Sequence, residues 1–444
     1  MRLCPVLIGR FKFLSSRRLR AACGAALLVL ALAFLGAHIG PDSQRAAGAM
    51  TVTNRTSASF EQPAGGLSAA ELSRHATADL LFDRTHVPLA SHPGAGLGPR
   101  FVAQSCIACH VRNGRGRALP DEALVRVPRP AGFGPQVQDK SVLGIEPEAA
   151  VILQWRRIRD RGAALREPDV VLIPPGGAPI APTLARSLRI APPLLGMGLL
   201  EAVPESTITA LADPDDADGN GISGRAHWWP GPDGQRRLGR FGWKANSATV
   251  RDQSAAAYRE DMGLTTPLSA QSNLDAAGLP ADISNHELNL VTYYSQTLGA
   301  PRTGQPARST LVRRGQELFG QLRCAGCHVP SLRTGPAPQA VVVAMRDQTI
   351  WPYTDLLLHD MGPGLDDGVA EQGATSREWR TTPLWGLGLT QKVNPQATFL
   401  HDGRARSLEE AILWHGGEAA QSRDRYLALA PGQRRTLLRW LQQL

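Results

Sequence analysis

The sequence predicts a mainly α-helical, loop-rich protein built as two folded units. Three observations predict it. Helical hydrophobic periodicity recurs at residues 146–161, 205–212, 285–298, 309–322, 407–415 and 431–444, whereas strand-like alternation is scarce. Pro and Gly are scattered through residues 84–245 (Pro128, Pro130, Pro174, Pro175, Pro192, Pro193, Gly196, Gly198), so long helices cannot fill that region and loops must be extensive. Each half of the chain also carries one Cys-x-x-Cys-His pentapeptide, at 106–110 and 324–328, and a Pro/Gly-rich stretch at 299–309 separates the halves.

At the N-terminus Arg2, Arg10, Lys12, Arg17, Arg18 and Arg20 precede an unbroken apolar run at 21–37, the order of an export signal. Ala47-Gly48-Ala49 resembles a small-residue cleavage site but lies well past the apolar run, so residues 1–39 read as a signal peptide or as an uncleaved membrane anchor. Residues 40–66, rich in Ser, Thr, Gly and Ala, read as a flexible linker. The first unit then spans 67–300 with loop-rich insertions, and the second 308–444. Both readings of the leader place the folded part in the periplasm.

Charge narrows the function. Seven Lys/Arg against the single Asp42 in the first fifty residues account for +6 of the formal +9, leaving +3 for the remainder. A nearly balanced chain with no basic run and few aromatics has no nucleic-acid footprint. Of six cysteines, Cys4 and Cys23 lie in the leader and the other four all sit in the two pentapeptides, so no thiol is left for a disulfide framework.

In Cys106-Ile107-Ala108-Cys109-His110 and Cys324-Ala325-Gly326-Cys327-His328 the thiols are spaced i, i+3, on one face of a helical turn. They can bond to one porphyrin edge while His110 and His328 turn beneath the iron as proximal ligands, the arrangement of c-type haem attachment. A redox dithiol would not need histidine after the second cysteine twice, and a zinc site would need its four ligands close together. The expected fold is therefore two cytochrome c-like domains with one covalent haem each.

Further candidates could complete or tune these sites. His359 and Met361 are candidate axial donors, or partners of a propionate and the ring face. Arg404 and Arg406, near His401 and His415, are candidates for pairing propionates. Ser407 reads as an N-cap with Glu409 and Glu410 in the first turn. Asp216, Asp218 and Asn220 repeat the first half of a calcium loop, but its twelfth position is His227 rather than the closing Glu, so Ca2+ and a simple Asx-rich turn both stay open.

Ordered blocks give the chain a resemblance from about Leu67 onward. They include Ser105-Cys-Ile-Ala-Cys-His-Val-Arg-Asn-Gly, Gly196-Met-Gly-Leu-Leu-Glu201, Asp213-Pro-Asp-Asp-Ala-Asp-Gly-Asn-Gly, Arg240-Phe-Gly-Trp-Lys-Ala-Asn246, Asp261-Met-Gly, Tyr353-Thr-Asp-Leu-Leu-Leu-His-Asp-Met-Gly362, Leu400-His-Asp-Gly-Arg and Trp414-His-Gly-Gly-Glu-Ala419. Together they resemble the bacterial di-haem oxidoreductase family, thiol-oxidoreductase-like, a distant relative of the di-haem cytochrome c peroxidases and of the di-haem enzyme that matures methylamine dehydrogenase. The resemblance implies an envelope oxidoreductase that moves electrons singly through haem, with small redox proteins as partners and peroxide as a substrate. It also brings an imelysin-like envelope partner into view. The chain departs from the peroxidases at Glu378, which stands where they place a methionine ligand. Glu201, in a Gly-rich apolar stretch, is the candidate acid/base residue. A non-enzymatic electron carrier and a redox component of an iron-uptake system are the alternatives.

Overall fold

In a computed structural model the described residues are 44–88, 96–128, 133–160, 162–231, 234–269, 281–336 and 341–444. The expected leader lies outside them, and none of their helices is long and apolar enough to cross a membrane. Helices of nine residues or more are α1 (Ala69–Phe82), α2 (Val250–Met262), α3 (Asn285–Thr297), α4 (Thr310–Gln321), α5 (Ala420–Ala428) and α6 (Pro431–Leu441).

Their starts follow from side-chain chemistry. Ser68, Thr249 and Ser284 each accept from the third helical N–H, while Glu71, Asp252 and Glu287 reach back to the cap N–H. The Ser309 hydroxyl caps α4 alone, and Val312, Gly315, Leu318 and Phe319 form the buried stripe of that helix. Gly315 is what lets α4 and α6 approach, because a Cβ there would lie 2.2 Å from Trp440 Cβ. The helix expected at Ser407 spans Leu408–Leu413, with Ser407 Oγ accepting from Glu410 N at 3.1 Å.

One helical expectation is corrected. Residues 146–161 do not form a helix; Ala150–Asp160 is a strand paired antiparallel with Ala163–Ile173. The reason is visible in the burial, since Val151, Leu153 and Trp155 are half-buried and alternate with exposed Ala150, Ile152 is 40% exposed, and the ribbon turns at Gly162 with φ +81°. The chain is thus 33% helical and 17% strand, mixed and loop-rich rather than mainly α. Among the described residues its strands pair only two at a time.

The linker expectation is corrected over residues 44–66. Ala46, Ala47, Met50, Val52, Phe60 and Ala64 are buried, and Thr51–Val52 pairs in parallel with Ala300–Pro301. Small and apolar side chains that suit a tether also fit a tight core seam. The division expected at 299–309 is not visible in the packing either. Residues 42–444 group as one unit, and one core joins Met50, Phe82, Leu199, Tyr258, Leu288, Met345 and Trp385.

Candidate haem-binding sites

Cys106–Cys109 form a single α-turn, so both thiols and the following His110 face one cavity of about 460 Å³. Phe82, Met197, Tyr258 and Asp261 complete much of its wall. In the second half Cys324–Gly326 form a 3₁₀ turn, and Cys324, Cys327 and His328 line another cavity, of about 220 Å³. Burial lowers both His110 and His328 to about 4, so each imidazole is neutral at physiological pH. His328 Nδ1–H donates to Tyr353 O at 3.0 Å, which leaves Nε2 with a free lone pair for a metal. Tyr353 holds that carbonyl from a left-handed backbone, φ 55°, a strained state of the kind found at functional sites.

The thiols speak against a redox dithiol. Burial pushes Cys106, Cys109 and Cys324 up to about 12 and raises Cys327, the opposite of the shift that activates a Cys-x-x-Cys pair. The second cavity suits a haem by its charge as well as its grease. Trp379, Phe399, Leu408 and Ile412 give apolar walls, and Arg115 lies among them with its guanidinium donating to the carbonyls of Thr398 and Leu400. Burial lowers Arg115 to about 10, and no carboxylate forms an ion pair with it among the described residues. Asp402 attracts it but is paired with Arg404, and a buried cation with no ion-pair partner of its own suits the propionate of a haem.

His359 lines the second cavity as expected, but it is not placed as an axial donor. Its Nδ1 lies 2.7 Å from Glu418 Oε2 and its Nε2 lies 2.8 Å from Asp355 Oδ2, so both ring nitrogens carry protons toward carboxylates. Burial opposes that charge, yet hydrogen bonds to Asp355, Cys327 and Glu418 raise the imidazole well above its usual value. Met361 lines the same cavity and packs against the apolar cluster of Trp379, Phe399 and Trp414. Two further imidazoles line it: His415, with Nδ1 held by Ala411 O at 2.7 Å, and His401, stacked on Trp379. Arg404 pairs with Asp402 at 2.6 Å and Arg406 pairs with Glu410 on the surface, so neither is the free propionate partner that the sequence suggested.

Glu201 is corrected as well. Its Oε1 accepts from Val250 N at 2.8 Å at the start of α2, its Oε2 accepts from Gln296, and it is absent from the lining of both cavities. The carboxylates that do line the first cavity are Asp252, Glu260 and Asp261. Asp252 is spent on the capping of α2, and Glu260 on ion pairs with Arg126 and Arg259. Burial pushes Asp261 up to about 6, even though Gln136 donates to its Oδ1 at 2.7 Å. Sequence reasoning saw Asp261 only as part of a block; its burial was the missing signal.

At the calcium candidate, the carboxylates of Asp213, Asp216 and Asp218 converge, and Asn220 Nδ2 donates to Asp218 Oδ2 at 2.6 Å. Backbone N–H groups occupy these carboxylates: Ala217 on Asp213, Asn220 on Asp218 and Gly221 on Asp216. Asn220 Oδ1 accepts from Ile222 N. Asx turns alone explain the convergence.

The two cavities share walls. Pro193, Leu195, Trp243 and Trp385 line both. Gly196 allows this, since its left-handed backbone, φ +60°, brings it so close to Trp385 that a Cβ would lie 2.5 Å from the indole. The model of the family described as "di-haem oxidoreductase, putative peroxidase" matches residues 41–128 and 183–444. The chain belongs to the di-haem oxidoreductase family. In this di-haem oxidoreductase the ribbon of Ala150–Asp160 and Ala163–Ile173 falls in the unmatched interval. No curated protein matches the chain. A hydrazine synthase chain of Kuenenia stuttgartiensis, solved under xenon pressure, is similar over 87% of this chain and 94% of its own, at 14% identity and a TM-score of 0.36. Glu378, at the place where peroxidases carry methionine, bonds Arg225 at 2.8 Å and does not line the second cavity.

Proposed function

We propose that this di-haem oxidoreductase is an exported c-type cytochrome that reduces peroxide with electrons received one at a time from a small redox protein. The observation that carries the proposal is the pair of cavities, each edged by two cysteines and a histidine, with Trp243 and Trp385 common to both. Each haem would be held by thioethers, at Cys106 and Cys109 or at Cys324 and Cys327, with His110 or His328 on the iron. When bound, the two haems supply one-electron storage and, at an open iron position, the binding of peroxide.

The chain's own residues divide the work. The second cavity, with Met361, His401 and His415 besides His328, is furnished to saturate an iron and so to pass electrons. In the first cavity His110 is the lone imidazole of the lining among the described residues, and Asp261 can exchange a proton near neutral pH. Two electrons and two protons convert one peroxide to two waters, with Asp261 taking a proton from peroxide and returning it to the departing oxygen. The basic, apolar leader supports export to the periplasm, where covalent attachment keeps haem from being lost.

The test is direct. The protein is prepared from a host that attaches haem, its intact mass is measured, and its ferric spin states and peroxide reactivity are recorded before and after one-electron reduction. Two attached haems with one high-spin, peroxide-reactive iron support the proposal. Two low-spin irons inert to peroxide in both states would instead leave an electron carrier, the reading favoured by the donor-rich second cavity.

A further inference from the structure

We infer that Arg380 is a shared anchor, its one guanidinium receiving a propionate from the haem of each cavity and thereby setting both reduction potentials together. The inference rests on the proposed presence of two haems. Arg380 ends the strand Glu378–Arg380, whose partner Leu358–Asp360 carries His359. Its backbone N–H donates to Trp243 O at 2.9 Å, which ties it to an indole common to both cavities. Arg380 itself lines both cavities and, among the described residues, is the one charged residue that does so.

The direct partners of its side chain are neutral, and Asp355, the carboxylate whose attraction reaches it, is itself bonded to His359 Nε2 at 2.8 Å. Nε donates to Gly242 O at 2.9 Å and Nη1 to Thr381 O at 3.2 Å, both neutral carbonyls, while Nη2 has no acceptor among the described residues. The residue is 8% exposed, and no carboxylate forms an ion pair with it among the described residues. Other cations lining the first cavity are answered at contact: Arg126 by Glu260 at 2.6 Å, and Arg189 by Asp367 and Glu371 at 2.7 Å each. Burying an unpaired guanidinium is costly, so a site that keeps one beside a cavity is built for an anion that arrives with the ligand. A haem brings carboxylates, and a planar fork of donors suits them.

The position has an electrical consequence. A positive charge beside a haem favours its reduced form, because reduction removes a unit of positive charge from the iron. One cation facing both cavities therefore raises both potentials, and what perturbs it perturbs both. Arg115 is the internal contrast, since it lines the second cavity alone.

The experiment uses the full chain carrying its haems. Intact mass first counts the haems in wild type, Arg380→Gln, Arg380→Lys and Arg115→Gln; a wild type without haem defeats the proposed function itself, independently of Arg380. Spectroelectrochemical titration then reads the two midpoint potentials. Expected for Arg380→Gln is a fall of both, with smaller falls in the same direction for Arg380→Lys, which keeps the charge but loses the fork. Arg115→Gln lowers one. If both haems are attached and Arg380→Gln moves one potential or neither, the inference is overturned. Should Arg380→Gln fail to accumulate, Arg380→Lys decides alone, and an unchanged pair or a single displaced potential overturns it.

Discussion

The indole of Trp379 lies flat on the imidazole of His401, with centroids 3.6 Å apart and planes 12° from parallel. Lys244 Nζ sits 4.0 Å from the centroid of the same indole, so one aromatic plate separates a buried ammonium from a buried imidazole. Burial first, and then Arg404, Arg189, Lys244 and Arg115, hold His401 well below its usual value and keep it neutral. Replacing Trp379 by Ala removes the plate and opens a void. The expected loss is about 3–5 kcal/mol of stability, read by urea unfolding, and Trp379→Phe should recover most of it.

His359 gives a sharp spectroscopic expectation. Because Asp355 and Glu418 hold both ring nitrogens, His359→Gln leaves the spin state of both ferric haems unchanged in electron paramagnetic resonance. A new high-spin signal would instead place His359 on an iron. The same spectrum recorded for His415→Ala and Met361→Leu shows which of those two donors is bound.

Asp261 should set the acid limb of peroxide turnover. As the proton acceptor it must be ionised, and burial raises its carboxyl to about 6. Turnover therefore falls as pH drops through about 6, and Asp261→Asn removes that limb. A positioned acid/base residue contributes ~10²–10⁴-fold, so Asp261→Asn should lose kcat on that scale with little change in peroxide affinity. A pH profile that keeps its limb in Asp261→Asn refutes the role.

Acid should weaken the fold through His86. This side chain is buried, and desolvation, followed by Arg84, lowers it to about 4 against opposing attraction from Glu287 and Asp282. The unfolded chain takes up the proton near pH 6.5, whereas the folded chain resists it. Stability contributed by His86 is thus complete above about 6.5 and declines as pH falls toward about 4. Urea midpoints measured across that window should flatten in His86→Gln.

The cysteine–histidine pentapeptides were legible because covalent attachment fixes residue type and spacing within five positions. Helix starts such as Ser284 with Glu287, and Ser407 with Glu410, are written equally locally. Residues 146–161 misled because Val151, Trp155 and Ile158 fit a helical face as well as a pleated one. The partner strand decided between them, and local periodicity does not contain it. Asp261, Arg115 and Arg380 gain their meaning only from burial beside cavities whose walls come from distant parts of the chain. Glu201 shows the converse, since a carboxylate in a Gly-rich apolar stretch proved to be holding the start of α2.

The packing of residues 44–66 constrains the order of events in maturation. Ala47 is 0% exposed, the Ala49 N–H is bonded to Gln348 Oε1, and Thr51–Val52 is locked beside Ala300–Pro301. A peptidase needs an extended, accessible substrate, so any cut at Ala47-Gly48-Ala49 must precede folding. A cut there would also strip Ala46 and Ala47 from the interior, whereas trimming upstream of Gln44 would leave the seam whole.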